Sequence, residues 1–384
     1  RAMVNKLVHF SFEQIFSEKF DFFATLFEYL IKDYNKDGGG KYAEYYTPHA
    51  VAKIMAACLV PEGESIQNVT CYDPSAGSGT LLMNLAHAIG EDKCALYSQD
   101  ISQKSSSLLR LNLILNNLVH SIPNIIQGNT IHHPYHREPD SGQLQKFDYI
   151  VSNPPFKLDF SDFRDELDTK ANNDRFFAGI PKVPAKAKDK MAIYSLFLQH
   201  IIHSLSETGH AAIVVPTGFI TAQSGIDKKI RQHLVENKML AGVVSMPSNI
   251  FATTGTNVSI LFLDASNKED VVLIDASKLG TKVKEGKNQK TLLSTQEEDH
   301  IIASFNGKQP ADDFSVVVSY DDIAAKNFSL SAGQYFEVKI EYVDITQEEF
   351  KEKMNGFQDR LEEMFAESRE LEGEIQEQMK GLRL

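Results

Sequence analysis

The chain has 384 residues, 42% hydrophobic and 24% charged, with three cysteines and a formal charge of -13. That composition describes a globular chain of two or three domains' length and excludes a disordered or fibrous protein. No apolar run approaches the roughly 18 residues of a bilayer span, no signal-peptide pattern is visible, and Cys58, Cys71 and Cys94 form no CxxC pair. The expectations are therefore no membrane embedding, no disulfide framework, no metal site, and a reducing cytoplasm.

The charge is unevenly spread. Residues 341–384 carry 13 acidic and 6 basic side chains, more than half of the excess. An acidic surface disfavours phosphate partners. Elsewhere, however, Lys182, Lys186, Lys188 and Lys190 form one basic cluster and Lys228, Lys229 and Arg231 another. A local basic groove stays open beside the plainer reading of solvated lysines.

In chain order, Phe16, Phe20, Phe23 and Phe27 are spaced as on an amphipathic helix that ends at Asp37-Gly38-Gly39-Gly40. Residues 47–59 are again helical, with Thr47 as N-cap and Pro48 at the first helical position. From residue 69 short apolar runs alternate with helical stretches. Strands are expected at 69–72, 95–99, 124–127, 149–152, 211–215, 241–245 and 258–263, and helices at 80–89, 103–118, 192–205 and 226–236. Seven strands alternating with helices predict an α/β fold with a mostly parallel sheet covered on both faces.

Residues 157–190 interrupt this rhythm as a long polar insertion, the pattern of a lid or a disordered segment. A smaller mixed region follows residue 264, with strands expected at 271–275 and 316–320. Residues 347–380 read as a charged helix carrying an apolar stripe that includes Phe350, Phe357, Leu361, Met364 and Leu371. Such a stripe needs a partner surface, either another chain or the protein's own body. The expected organisation is 1–60 helical, 61–264 the α/β domain, 265–346 a small mixed extension, and 347–384 a helical tail.

The chemistry concentrates at strand ends. Asp73-Pro74-Ser75-Ala76-Gly77-Ser78-Gly79 follows the first strand, and an acid leading into a glycine-rich turn lets backbone approach a nucleotide-like ligand closely. Leu82 stands where a dinucleotide fingerprint has its third glycine, and no Gly-Lys-Ser/Thr ending is present, so neither a dehydrogenase nor a nucleoside triphosphatase fits. Asp100 ends the second strand, where a carboxylate can accept from ribose hydroxyls. Asn129 follows the third, placed to bond an adenine-like ring.

Asn153-Pro154-Pro155-Phe156 follows the fourth strand. Two prolines stiffen the turn and remove two N–H donors, so it offers acceptors to an amino group, while Phe156 offers a face for a planar ring.

In this order, Asp73 to Gly79, Asp100 and Asn153 to Phe156 resemble the cofactor and catalytic motifs of S-adenosylmethionine-dependent amino-group DNA methyltransferases. Glu44, Tyr45, Tyr46, Thr47, Pro48 and His49 resemble the cofactor-covering segment of type I restriction-modification modification subunits. The resemblance implies a seven-stranded Rossmann-like methyltransferase sheet with N-terminal helices and a C-terminal helical tail. It implies catalysis by Asn153, Pro154, Pro155 and Phe156. Cofactor binding falls to residues 44–49, Asp73, Pro74, Gly77, Ser78, Gly79, Asp100, Asn129 and Asn153.

The implied substrate is adenine N6 in double-stranded DNA, with the base flipped out. The implied partners are a specificity subunit, a second modification subunit and a restriction subunit. Relatives open on a sizeable helical domain ahead of the segment at Phe16, so a sequence that starts at Arg1 is expected to be a trimmed form. They also often carry Glu at position 100, where Asp keeps the chemistry but shortens the reach.

The Asn-Pro-Pro turn is shared by methylation of cytosine N4, an RNA guanine or a protein glutamine, which form the alternative reading, with a non-catalytic scaffold or DNA-binding subunit as the rival class. No cysteine stands in a Pro-Cys pair, which argues against cytosine C5.

Overall fold

The computed structural model of the chain describes residues 47–61, 63, 66–251, 257–285, 288–337 and 346–381. The Phe16–Phe27 pattern, the glycine run at 38–40, and Glu44, Tyr45 and Tyr46 lie outside these residues. The chain divides into two units, Arg1–Phe336 and Glu337–Leu384.

The first unit opens on α1 (His49–Leu59), whose Val51, Ile54 and Met55 are fully buried. Pro48, not Thr47, precedes its first residue, and no side chain caps it. The βα rhythm then follows. β1 (Val69–Asp73) leads to α2 (Thr80–Ile89), β2 (Cys94–Asp100) to α3 (Gln103–Leu115), and the short β3 (Ile125–Gln127) to β4 (Phe147–Ser152). After α4 (Arg164–Leu167) come α5 (Tyr194–Ser204), β5 (Leu205–Pro216), α6 (Thr217–Thr221), α7 (Gly225–Glu236), β6 (Leu240–Ser245) and β7 (Val258–Asp264). The remainder is β8 (Val271–Asp275), a hairpin of β9 (Thr281–Glu285) and β10 (Asn288–Leu292), α8 (Thr295–Asn306), β11 (Ser315–Val318) and α9 (Tyr320–Ala325).

The seven strands expected before residue 264 are all present, and two more join them. The sheet has nine strands in the order β11-β8-β6-β7-β5-β4-β1-β2-β3. β8 pairs parallel to β6, and β11 pairs antiparallel to β8. Apolar pattern reveals a buried strand but not its neighbour, so pattern alone does not join these two to the main sheet. β11 stops at Val318 because Ser319 caps α9 in a reciprocal box with Asp322.

Alternation along the strands feeds two apolar layers. In β5, Ala212 and Val214 face one cluster with α1 and α2, while Ala211, Ile213 and Val215 face another with α5 and α7. β1 lies between β4 and β2 in parallel register, with Cys71 opposite Tyr149 and Tyr72 opposite Ile150. The chain winds outward from β1 through β2 and β3, then returns to β4 on the other side. This makes the carboxyl ends of β1 and β4 a topological switch point, where open α/β sheets form a crevice.

Residues 157–190 are not the unpacked insertion that their polarity suggested. Phe160, Leu167 and Phe176 are buried with Ile131, Met191 and Phe197 in a third, small cluster. Arg175, 4% exposed, donates to the carbonyls of Thr130 and Ile131, each at 2.8 Å, and to His200 Nδ1 at 3.1 Å. Residues 182–190 remain exposed.

The second unit contains α10 (Gln347–Gly381), a 35-residue helix. Phe350, Met354, Phe357, Leu361, Met364, Phe365, Leu371, Ile375 and Met379 along it are each at least half exposed. No helix among the described residues is long and apolar enough to cross a membrane.

Candidate active site

The turn from β1 into α2 depends on glycine. Gly77 and Gly79 have φ of 52° and 90°, the left-handed region that glycine enters without strain. A Cβ on Gly79 would stand 2.2 Å from Leu109 Cδ1 of α3, so this position also sets how closely α2 and α3 pack. Two contacts fix the turn from outside. Asp100 Oδ2, at the end of β2, accepts from the Gly77 N–H at 2.9 Å, and the Thr130 hydroxyl donates to the Pro74 carbonyl at 2.7 Å.

Asp73 and Asn153, at the ends of adjacent strands, line one pocket with Thr47, Ser75, Ser78 and Thr80. Asp73 is 1% exposed, and its Oδ1 accepts from the Ser75 N–H at 2.9 Å. Burial pushes this carboxyl up to about 8, opposed by the Ser75 N–H and reinforced by the neighbouring Asp100. Ser75 Oγ and Ser152 Oγ share a 2.8 Å hydrogen bond that ties the glycine-rich turn to the residue before Asn153. The Asn153 Nδ2 donates to Thr47 Oγ1 at 3.1 Å.

Asp100 spends part of its capacity on the fold, since Oδ1 also accepts from Ser102 N–H at 2.8 Å. Burial raises its carboxyl, and the two N–H donors partly offset this. Among the described residues no Lys or Arg neutralises Asp73 or Asp100. Asn129 Oδ1 accepts from the N–H groups of Ile131 and His132, both at 3.0 Å, so it caps its own loop and leaves its amide nitrogen as the group it could offer a ligand. Pro154 is buried, while Pro155 and Phe156 are half-buried. Phe156 meets Tyr194 edge-on at 6.3 Å, and the Tyr194 hydroxyl donates to Asp227 at 2.6 Å. Pro48 and His49 sit at the entrance to α1 beside Thr47.

Two of these residues are not singled out by the sequence. Ser152 and Thr130 carry no motif signal beyond their place beside one, and Ser75, inside the glycine-rich motif, gives no sign of its bond to Ser152. Ile101 is 63% exposed next to Asp100, an apolar surface at a strand end that a pattern scan does not single out. Arg231, counted above in a basic cluster, is not a surface cation. It is buried and donates to the carbonyls of Phe219, Ala222 and Phe328, the last at 2.7 Å, which ties α7 to the end of α6 and to the segment after α9.

Known proteins resemble the chain over most of its length. The methylase subunit of the type I restriction enzyme MpnII from Mycoplasma pneumoniae is 30% identical over 340 residues, covering 85% of this chain and 59% of its own length. The methylase subunit of the type I restriction enzyme MjaIX from Methanocaldococcus jannaschii is 26% identical over 397 residues, covering 99% of this chain and 66% of its own length. The crystal structure of a type I restriction-modification system methyltransferase subunit from Streptococcus thermophilus superposes with a TM-score of 0.65 at 25% identity, covering 77% of this chain and 60% of that one. The chain thus spans less than two thirds of the length of each of these proteins. The profile of N-6 DNA methylases runs through residues 18–343, across the glycine-rich turn, Asp100 and the Asn-Pro-Pro-Phe turn alike, and the chain belongs to that family.

Proposed function

We propose that this chain is the modification subunit of a type I restriction-modification system and transfers a methyl group from S-adenosylmethionine to adenine N6 in DNA. The observation that carries this reading is the shared pocket of Asp73 and Asn153 at the switch point, which puts a buried acid and a neutral acceptor side by side. Two carboxyls that no Lys or Arg neutralises among the described residues suit a ligand that brings its own positive charge, and S-adenosylmethionine carries an ammonium and a sulfonium. When bound, the cofactor supplies an electrophilic methyl group. Asp73 and the turn through Ser78 would hold its amino-acid end, Asp100 its ribose, and Ile101 the face of its adenine.

The chain's own residues do the rest by placement. Adenine N6 is a weak nucleophile because its lone pair is delocalised into the ring. The Asn153 Oδ1 and the Pro154 carbonyl accept its two hydrogens, which turns the lone pair out of the ring plane and toward the methyl carbon. Asn153 is a neutral amide and takes no proton, so its contribution is position and dipole. Phe156 stacks on the base after it leaves the duplex.

On this reading the chain works in the cytoplasm with double-stranded DNA, a specificity subunit, a second modification subunit and a restriction subunit, and residues 347–384 make the subunit contact. Labelled methyl transfer to unmodified DNA, with and without a specificity subunit, followed by mass spectrometry of the nucleosides, tests the proposal. N6-methyladenine is the expected product. N4-methylcytosine, or label in RNA or protein, would overturn it.

A further inference from the structure

We infer that Thr47 is a positioning residue for methyl transfer: its hydroxyl latches the Asn153 amide so that the acceptor end, Oδ1, is the end presented to the target nitrogen. This rests on the reading of the site as an amino-group methyltransferase. Asn153 Nδ2 donates to Thr47 Oγ1 at 3.1 Å, across 106 positions of sequence. Thr47 is 6% exposed, although it stands outside both the sheet and α1, and the pair lines the same pocket as Asp73 and Ser78.

The latch is needed because an Asn side chain has a donor end and an acceptor end that differ only by rotation about a broad, roughly two-fold torsion. A target amino group donates, so an amide with Nδ2 facing the pocket would set N–H against N–H. In the structure Nδ2 is the end engaged by Thr47 and Oδ1 is the end left for the pocket; a hydroxyl can also donate, so the contact acts by fixing the position and plane of the amide.

The support behind Thr47 is rigid. Pro48 restricts its backbone, and the Pro48 carbonyl accepts from the Ala52 N–H at 3.1 Å, which joins it to the buried first turn of α1. A segment that enters the fold before the first strand therefore sets the geometry of a side chain at the end of the fourth.

The test compares wild type, Thr47→Val, Thr47→Ser and Thr47→Ala in the complex that methylates DNA. Thr47→Val is expected to lower kcat by about tenfold or more, as misplacement of a reacting group does, with thermal stability unchanged and any change in cofactor affinity smaller than the loss in kcat. Thr47→Ser should restore most of the rate. Thr47→Ala adds no bulk and stands in if the valine crowds the turn.

A second readout does not depend on turnover. The side-chain amide resonance of Asn153 in a 15N-asparagine-labelled chain, assigned by its loss in Asn153→Ala, should shift and exchange faster in Thr47→Val. A Thr47→Val enzyme with wild-type kcat, a loss confined to cofactor affinity, or an unmoved Asn153 amide would overturn the inference. A wild-type complex that transfers no methyl group to DNA would count against the functional reading instead, and the amide measurement would still decide the latch.

Discussion

Replacing Asp73 by Asn removes a carboxyl that the folded chain holds protonated far above its ordinary range. Burial pushes it up to about 8, whereas in the unfolded chain it returns to 3.8. Below about pH 4 both states carry the proton and its contribution to stability is complete. As the pH rises, the unfolded chain releases the proton while the folded chain keeps it, so stability falls until the folded carboxyl ionises near 8. Each pH unit in that window costs on the order of 1.4 kcal/mol, or roughly 3 kcal/mol between pH 5 and pH 7.

Asn has the same shape and no proton to lose, so the variant should gain about that much on the wild type over this range. Urea unfolding of both proteins from pH 5 to pH 8 measures it, and a stability difference that stays flat with pH would refute the assignment. If the proposed cofactor sits beside Asp73, the same carboxyl links its binding to pH. A cation placed beside it favours the ionised form, so calorimetry at pH 7 in buffers of different ionisation enthalpy should show proton release on binding that is absent in Asp73→Asn.

Asp100→Ala should lower cofactor affinity by about 1.5–3 kcal/mol through loss of a charged hydrogen bond, and should also loosen the turn because Gly77 and Ser102 lose their acceptor; unchanged affinity by calorimetry would rule out the ribose contact. Asn153→Ala should abolish methyl transfer with the fold intact by circular dichroism, and Phe156→Ala should weaken retention of the flipped base by roughly 1–3 kcal/mol; an Asn153→Ala enzyme with the wild-type rate would refute the mechanism. Deleting residues 347–384 removes an apolar stripe whose exposure costs ~25 cal/mol per Å², so the truncated chain should bind cofactor yet fail to assemble with the specificity subunit, and co-purification in a methylating complex would count against that role.

The glycine-rich turn and the Asn-Pro-Pro-Phe turn were legible because their backbone demands restrict residue type: only glycine tolerates Gly79's φ and its approach to Leu109, and only proline removes the donors. Strand existence was legible from composition, since β8 opens on the apolar run Val271-Val272-Leu273-Ile274. Its pairing with β6 was not, because pairing is decided by what else needs covering. Polarity misled at residues 157–190, where a few aromatics and one buried arginine suffice to fold a segment that is otherwise charged. Thr47 was read as a helix cap from its place before Pro48, yet its hydroxyl is used across 106 positions of sequence, a distance local reasoning cannot bridge.

The pairing of β1 with β4 has a consequence for how such a protein can change over time. Asp73 ends β1 and Asn153 directly follows β4, and the two backbones run side by side through the rungs Cys71–Tyr149 and Tyr72–Ile150. Neighbouring strands keep a spacing of about 4.8 Å that side chains do not adjust. The two side chains that line the pocket are thus mounted on a ruler made of peptide bonds. Loops, edge strands and outer helices can drift, lengthen or be exchanged without re-aiming this pair, so the surface can vary around a centre that is already aligned.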